Sequence, residues 1–244
     1  VLKVVDYDVA PVDSLRILTQ SMFYYFFVPL SVGTEVSKFA KLGNLRPQYP
    51  ISKLASGIIL DHLVGLAVLI VISLSVYISI EPIVVEIKRT TVALIACGSV
   101  LLMTGATVYV LKKRKHQMQQ LLVFALVRKK QLALAMFYSL VMHAVIAAAV
   151  LAGALHWHIE ISYLQVLFVM TGAFLFQMVP FNVIGVSAIE FAGAGLYLAV
   201  GLPVAEALSL VSLLYCYRVL IALIGGLWEF TDGWRTQQRK GATN

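Results

Sequence analysis

The chain has 244 residues, 60% of them hydrophobic and 13% charged, and its mean hydropathy is +0.89; soluble domains average about 45–50% apolar and 25% charged residues. Those proportions describe a membrane protein and exclude a cytosolic enzyme and a nucleic-acid reader. The net charge of +7 then carries meaning through where the basic residues lie, not through a polyanionic partner.

Residues 1–14, VLKVVDYDVAPVDS, set Asp6, Asp8 and Asp13 against Lys3 and fit an outer segment. They begin without Met and lack signal-peptide features, so a truncated N-terminus is expected. Residues 15–230 read as one transmembrane domain and 231–244 as a basic cytoplasmic tail. Within the domain, apolar segments run 15–30, 54–80, 91–111, 132–155, 162–179, 186–201 and 206–230, about seven in all, which predicts an all-α polytopic bundle. The segments at 54, 91, 132 and 206 are long enough to cross a hydrocarbon core of about 30 Å, whereas those at 15 and 186 have the length of half-helices.

Lys and Arg cluster at 31–53, 112–131 and 231–244 and are absent from 156–161 and 201–205, which places the basic segments in the cytoplasm of an integral protein of the cell (cytoplasmic, or inner) membrane. Seven crossings with the N-terminus outside satisfy that bias. A re-entrant 186–201 alone would put the basic tail outside, which counts against re-entry. Residues 112–130 read either as an interfacial helix or as an ordinary positive-inside loop. Cys97 and Cys216 lie in apolar runs and are expected to be small buried hydrophobes.

Two segments interrupt the apolar pattern: VPLSVGTEVSKF at 28–39 and VPFNVIGVSAIEF at 179–191. Proline lacks an N–H and disfavours helix in the residue before it, and glycine tolerates positive φ, so Pro29 with Gly33 and Pro180 with Gly185 predict broken helices. A helix that restarts inside a membrane offers unpaired N–H groups and a positive dipole end to a phosphate or carboxylate. Thr34 and Ser187 add hydroxyls. Each break is followed by an acid, Glu35 or Glu190, which competes for those donors. Ser187-x-x-Glu190 spells a capping box, so Glu190 is either a cap, a proton or ion carrier, or a partner for Arg218. Lys38 is a headgroup contact or a positive-inside charge.

An ionised side chain at mid-membrane costs about 2.5–3.5 kcal/mol and needs a reason. Arg218, next to Tyr217, lies near the middle of the last apolar segment and must meet an anion, either a carboxylate or a ligand phosphate. Asp61 and His62 lie inside the second segment and face different ways; they can pair with a basic group or substrate, carry a proton, or serve as packing polars. P-x3-G-x-E before Asp61-His62 and P-x4-G-x4-E before Tyr217-Arg218 look like two copies of one unit. With the following helices running in opposite directions, that is a possible inverted repeat. His156, His158 and Glu160 around Trp157 suggest an interfacial loop more than a metal site. No catalytic constellation or cofactor fingerprint is present. Gly193, Gly195, Gly225 and Gly226 are expected at close helix contacts.

These stretches, FYYFFVPLSVGTEVSKFAKLGN, LASGIILDHLVGL and VPFNVIGVSAIEFAGAGLYLAVGLPVAEALSLVSLLYCYRVL, resemble the membrane domain of the lysylphosphatidylglycerol synthase/flippase family. The resemblance matches Pro29, Gly33, Glu35 and Lys38, with Thr34 inserted between the usual Gly-Glu neighbours. It matches Asp61, with His62 where the family usually has Arg, and Gly185, Glu190, Tyr217 and Arg218 at a longer Gly-to-Glu spacing. It implies additional helices before the first motif and an all-helical domain that moves an amphiphilic lipid between leaflets, aminoacylated phosphatidylglycerol in the best-known members. Aminoacyl transfer is not carried over, because no soluble acyltransferase-like domain follows residue 230.

The expected function is a non-enzymatic translocase for an anionic or phosphate-bearing lipid. Its headgroup site would draw on Gly33, Thr34, Glu35, Lys38, Asp61, His62, Gly185, Ser187, Glu190, Tyr217 and Arg218, without metal or cofactor. A membrane scaffold that presents lipid to a lipid-modifying enzyme, and an ion-coupled carrier of a small solute, are the rival readings. Arg218→Ala is expected to abolish transport and leave folding intact.

Overall fold

A computed structural model describes residues 9–27, 32–45, 47–79, 128–178 and 182–241. The described residues form seven α-helices: α1 (Pro11–Phe27), α2 (Val32–Leu45), α3 (Ile51–Ser79), α4 (Lys129–His156), α5 (Tyr163–Leu175), α6 (Ala188–Ala199) and α7 (Val204–Gly241). A 3-10 turn at Phe176–Met178 and a small hairpin of β1 (Asn182–Val183) and β2 (Val186–Ser187) sit between α5 and α6. Apolar segment 91–111, Cys97 and most of 112–130 lie outside the described residues.

The helix starts follow from local chemistry. Pro11 opens α1, and Pro50 and Pro203 stand just ahead of α3 and α7, where a missing N–H costs nothing. Ser162 with Gln165 and Ser187 with Glu190 form capping boxes at α5 and α6. Among the described residues, three helices are long and apolar enough to cross a membrane: Ile51–Ser79, Lys129–His156 and Val204–Asp232. At 1.5 Å per residue, α1, α2, α5 and α6 reach only about 18–26 Å each, short of a full crossing.

Side-chain pairs give the directions. Arg16 meets Asp232 and Tyr25 meets Arg218, so α1 is antiparallel to α7. Ser73 meets Thr171 and Tyr77 stacks on Phe168, so α3 is antiparallel to α5. Glu190 meets Arg218 while Gly193 packs on Val211, so α6 is also antiparallel to α7. Ser21 faces Ser37 across α1 and α2, and Gly172 packs on Leu196 across α5 and α6. Each of these short pairs is therefore a helical hairpin that enters and turns back. The first hairpin enters from the end of the bundle where α7 finishes, the second from the end where α7 begins.

The two units α1-α2-α3 and α5-α6-α7 are thus inverted copies. Each first half-helix packs on the long helix of the other unit, α1 on α7 and α5 on α3. Two apolar cores result. One gathers Val9, Ile17, Leu42, Leu54, Leu60 and Val64 around the first hairpin. The larger is built on Val166, Val169, Met170, Tyr197 and Leu210 around the second.

Four expectations need correction. The start of α1 lies beside Asp232, so it shares an end with the close of α7 and does not lie opposite the tail; a polar break that reverses the chain replaces a crossing. Segment 186–201 does turn back, but 162–179 turns with it, so the parity that placed the tail is preserved. Cys216 is exposed on α7, not buried. Of the four glycines expected at close contacts, Gly195 has open space around its Cα.

Candidate functional site

The end of α1 meets the tip of the second hairpin at the level of Arg218, the central residue of the 29-residue apolar stretch Val204–Asp232. Asn182 donates from its side-chain amide to the carbonyl of Tyr25, which ties the second tip to the end of α1. The Phe26 ring lies against Gly185, where a β-carbon would collide with it. Gly185 also has φ +78°, so position 185 needs glycine on two counts. Its neighbour Ile184 has φ 52°, giving the two positive-φ residues of a tight primed turn, though β-branched residues rarely adopt that conformation. Tyr215 Oη donates to the Ile184 carbonyl at 3.0 Å and holds the turn from α7.

Arg218 closes the junction. Its Nη2 donates to the Gly185 carbonyl at 2.9 Å and to Glu190 Oε1, and its guanidinium lies 5.5 Å from the centre of the Tyr25 ring. Nη1 reaches Tyr25 Oη at 3.5 Å, at the limit of a hydrogen bond. Nε is buried without a partner. Glu190 divides its oxygens: Oε2 accepts from the Ser187 backbone N–H at 2.6 Å and from Ser187 Oγ at 2.8 Å, while Oε1 takes Arg218. Glu190 is therefore both cap and ion-pair partner. Side-chain exposures of 9% for Arg218 and 8% for Glu190 make this a sealed pair.

A second acid–base cluster occupies the matching place in the first unit. Glu35, the fourth residue of α2, accepts from Lys38 Nζ at 2.9 Å on Oε1, and His62 Nε2 of α3 lies 3.3 Å from Oε2. That separation is an ion-pair distance without hydrogen-bond geometry, and Oε2 is buried with no hydrogen-bond donor. Exposures of 47% for His62 and 28% for Glu35 make this pair far more open than its counterpart. Gly33 and Thr34 are buried at the start of α2, and Thr34 Oγ1 has no hydrogen-bond partner.

Nine of the eleven expected site residues therefore fall into two clusters: Gly33, Thr34, Glu35, Lys38 and His62 in one, Gly185, Ser187, Glu190 and Arg218 in the other. Asp61 is exposed on another face of α3. Tyr217 points away from Arg218 and donates to the Ala149 carbonyl of α4 at 3.4 Å, so it braces two helices. Tyr25 and Asn182 were missed. Their signal was a hydrogen-bonding side chain within four residues of each break proline. Among the described residues no group of His, Cys, Asp and Glu has the arrangement of a metal site, and His156 and His158 flank a turn between α4 and α5.

Long apolar helices, two opposed re-entrant hairpins and charged pairs at their tips define an integral membrane protein. The chain belongs to the family described as "Lysylphosphatidylglycerol synthase TM region", whose model matches residues 1–226. That membership links it to lipid handling. No curated protein and no solved structure matches it.

Proposed function

We propose that this protein moves a phosphate-bearing lipid between leaflets of the cell membrane, with no chemical step of its own. The observation that carries the reading is the meeting, around Arg218, of the end of α1 and the tip of the oppositely inserted second hairpin. The reading gives Arg218 two states. In the closed state described above, Glu190 neutralises it. In the loaded state a headgroup phosphate replaces Glu190 on the guanidinium, while Ser187 continues to satisfy Glu190 through the cap. The unpartnered Nε is a further donor for that phosphate, and planar guanidinium groups bind phosphate through paired N–H bonds. Acyl or polyprenyl tails stay in the bilayer. The Lys and Arg of 31–53, the basic start of α4 and the basic tail favour a cytoplasmic place for the first hairpin's open end.

The sealed pair changes the expected mutational outcome. Removing Arg218 alone leaves a buried carboxylate unpaired, at a cost of about 3–5 kcal/mol, so Arg218→Ala tests folding as much as transport. The informative variants are Arg218→Lys, which keeps the charge, and Arg218→Met combined with Glu190→Gln, which removes both charges. In vesicles holding only this protein and fluorescent phosphatidylglycerol, wild type is expected to exchange label between leaflets. The double variant is expected to stop it, and Lys to slow it about tenfold or more, since a charge-assisted bond is worth about 1.5–3 kcal/mol. Unchanged exchange in the folded double variant removes Arg218 from the mechanism. Wild type that exchanges no lipid favours a scaffold presenting lipid to a lipid-modifying enzyme; solute flux driven by pH without any lipid requirement favours an ion-coupled carrier.

A further inference from the structure

The inverted repeat gives each unit one acid on its returning half-helix and one base near the middle of the next long helix. In the second unit the base is arginine, charged at every physiological pH, and the pair is sealed. In the first the base is His62, whose side-chain type changes charge between about pH 5 and 8, and the pair is partly open. A pseudo-symmetric framework that holds one fixed and one titratable charge has a built-in means of responding to proton concentration at one of its two pairs.

We infer that the Glu35–His62 pair is a proton-binding site through which a transmembrane pH gradient drives transport. This inference rests on the lipid-translocase reading. Water on one side supplies a proton to the neutral imidazole, one N–H bond forms, and the imidazolium attracts Glu35 Oε2, which has no hydrogen-bond donor of its own. That attraction holds α2 against α3. Release of the same proton to water on the other side restores neutral imidazole and removes the charge that α3 offers Oε2, so that Glu35 keeps only Lys38 of its own helix as partner and α2 loosens from α3. α2 packs on α1, whose Tyr25 meets Arg218, so the hold on α2 bears on the contact that closes over Arg218. A phosphate diester brings one negative charge and the proton one positive charge, so their joint passage leaves the net charge carried across the membrane at zero.

The groups acting on His62 are Glu35 and Lys38 from α2 and Asp61 on α3 itself. Among the described residues the other helices packed on α3 add none: α4 carries Lys129, Lys130, Tyr138, His143 and His156, and α5 carries Tyr163, and none of them acts on it. Lys38 occupies Glu35 Oε1, so the oxygen left for His62 is specifically Oε2.

The test uses the full chain in vesicles of phosphatidylethanolamine and phosphatidylglycerol with a trace of tail-labelled phosphatidylglycerol and a one-unit pH step. One pH unit is a tenfold bias, so one-to-one coupling drives label toward about a tenfold excess in the leaflet on the alkaline side. His62→Gln is expected to reduce that excess to an even distribution whatever its absolute rate. Glu35→Gln carries the same expectation should His62→Gln fail to fold. Wild type that exchanges label evenly regardless of the pH step, or a His62→Gln protein that keeps the excess, overturns the coupling and leaves the translocase reading standing. Wild type that moves no label under either condition overturns both.

Discussion

Ile184 holds φ 52° at the tip of the second hairpin with 73% of its surface exposed. No large burial repays that conformation, and a residue kept in a sparsely populated backbone region costs about 1–3 kcal/mol. Tyr215 and Arg218 grip the carbonyls of Ile184 and Gly185 from α7, so the turn is maintained by the helix it must part from if the site opens. Ile184→Gly is expected to raise the thermal midpoint in detergent by the equivalent of about 1 kcal/mol and to slow lipid exchange, because a relaxed tip has less reason to leave α7. A faster rate would mean that the strain has no part in opening. The Arg218–Glu190 pair makes a complementary prediction. Arg218→Met and Glu190→Gln are each expected to destabilise by about 3–5 kcal/mol and their combination by much less, since the double variant buries no lone charge. Additive losses in a thermal-shift cycle would show that the two charges do not depend on each other. The need for an anion beside Arg218 was legible in the sequence from its depth alone. Which anion was not, because Glu190 also spells a helix cap, and a capping carboxylate has a second oxygen whose partner no local pattern reveals.

The half-helices carry the architecture, and α1 shows how. Its pairing with α7 depends on Gly225, whose missing side chain lets the Thr19 carbonyl approach the α7 backbone, and on Gly226, against which the Phe23 ring lies. Around this crossing, Arg16 and Gln20 engage Asp232 while Tyr24 and Lys41 engage Glu229, so both arms of the first hairpin are fastened to the end of α7. Gly225→Ala would set a β-carbon inside the Thr19 carbonyl oxygen. A backbone obstacle cannot swing aside, so a loss of about 1–3 kcal/mol is expected, read as a lower thermal midpoint. Gly195→Ala, with open space at its Cα, is the control and is expected to change little. An unchanged Gly225→Ala protein would rule out the close crossing. The sequence displayed the breaks through proline and glycine and the short lengths of 15–30 and 186–201, so the existence of half-helices was legible. Their pairing was not: counting crossings by charge treats each apolar segment as independent, and 162–179 is apolar enough to pass for a span until its partner is seen to turn back with it.

Across the whole molecule, two inverted hairpins change which chain positions share a side of the membrane. A simple seven-crossing thread puts the start of α1 opposite the α2–α3 turn, because one crossing separates them. A re-entrant first hairpin puts both at the end that also holds Asp232, and puts the Trp157 turn at the other end. The ladder of contacts from Arg16–Asp232 to Tyr25–Arg218 follows only about half of the apolar stretch Val204–Asp232, about 20 Å by rise per residue, so α1 stops near the bilayer centre. Single cysteines at Val12, Pro47 and Trp157, all exposed, in a background where Cys97 and Cys216 are serine, separate these arrangements. In sealed vesicles of uniform orientation, a membrane-impermeant maleimide is expected to reach positions 12 and 47 from one side and position 157 from the other. Labelling of 12 and 157 from the same face, with 47 opposite, would restore the seven-crossing thread and dissolve the meeting of α1 and the second hairpin at Arg218. For the proposed translocase, the opposed insertion of the two hairpins offers an economy of motion: withdrawal of one hairpin while the other stays seated would open Arg218 to a single leaflet.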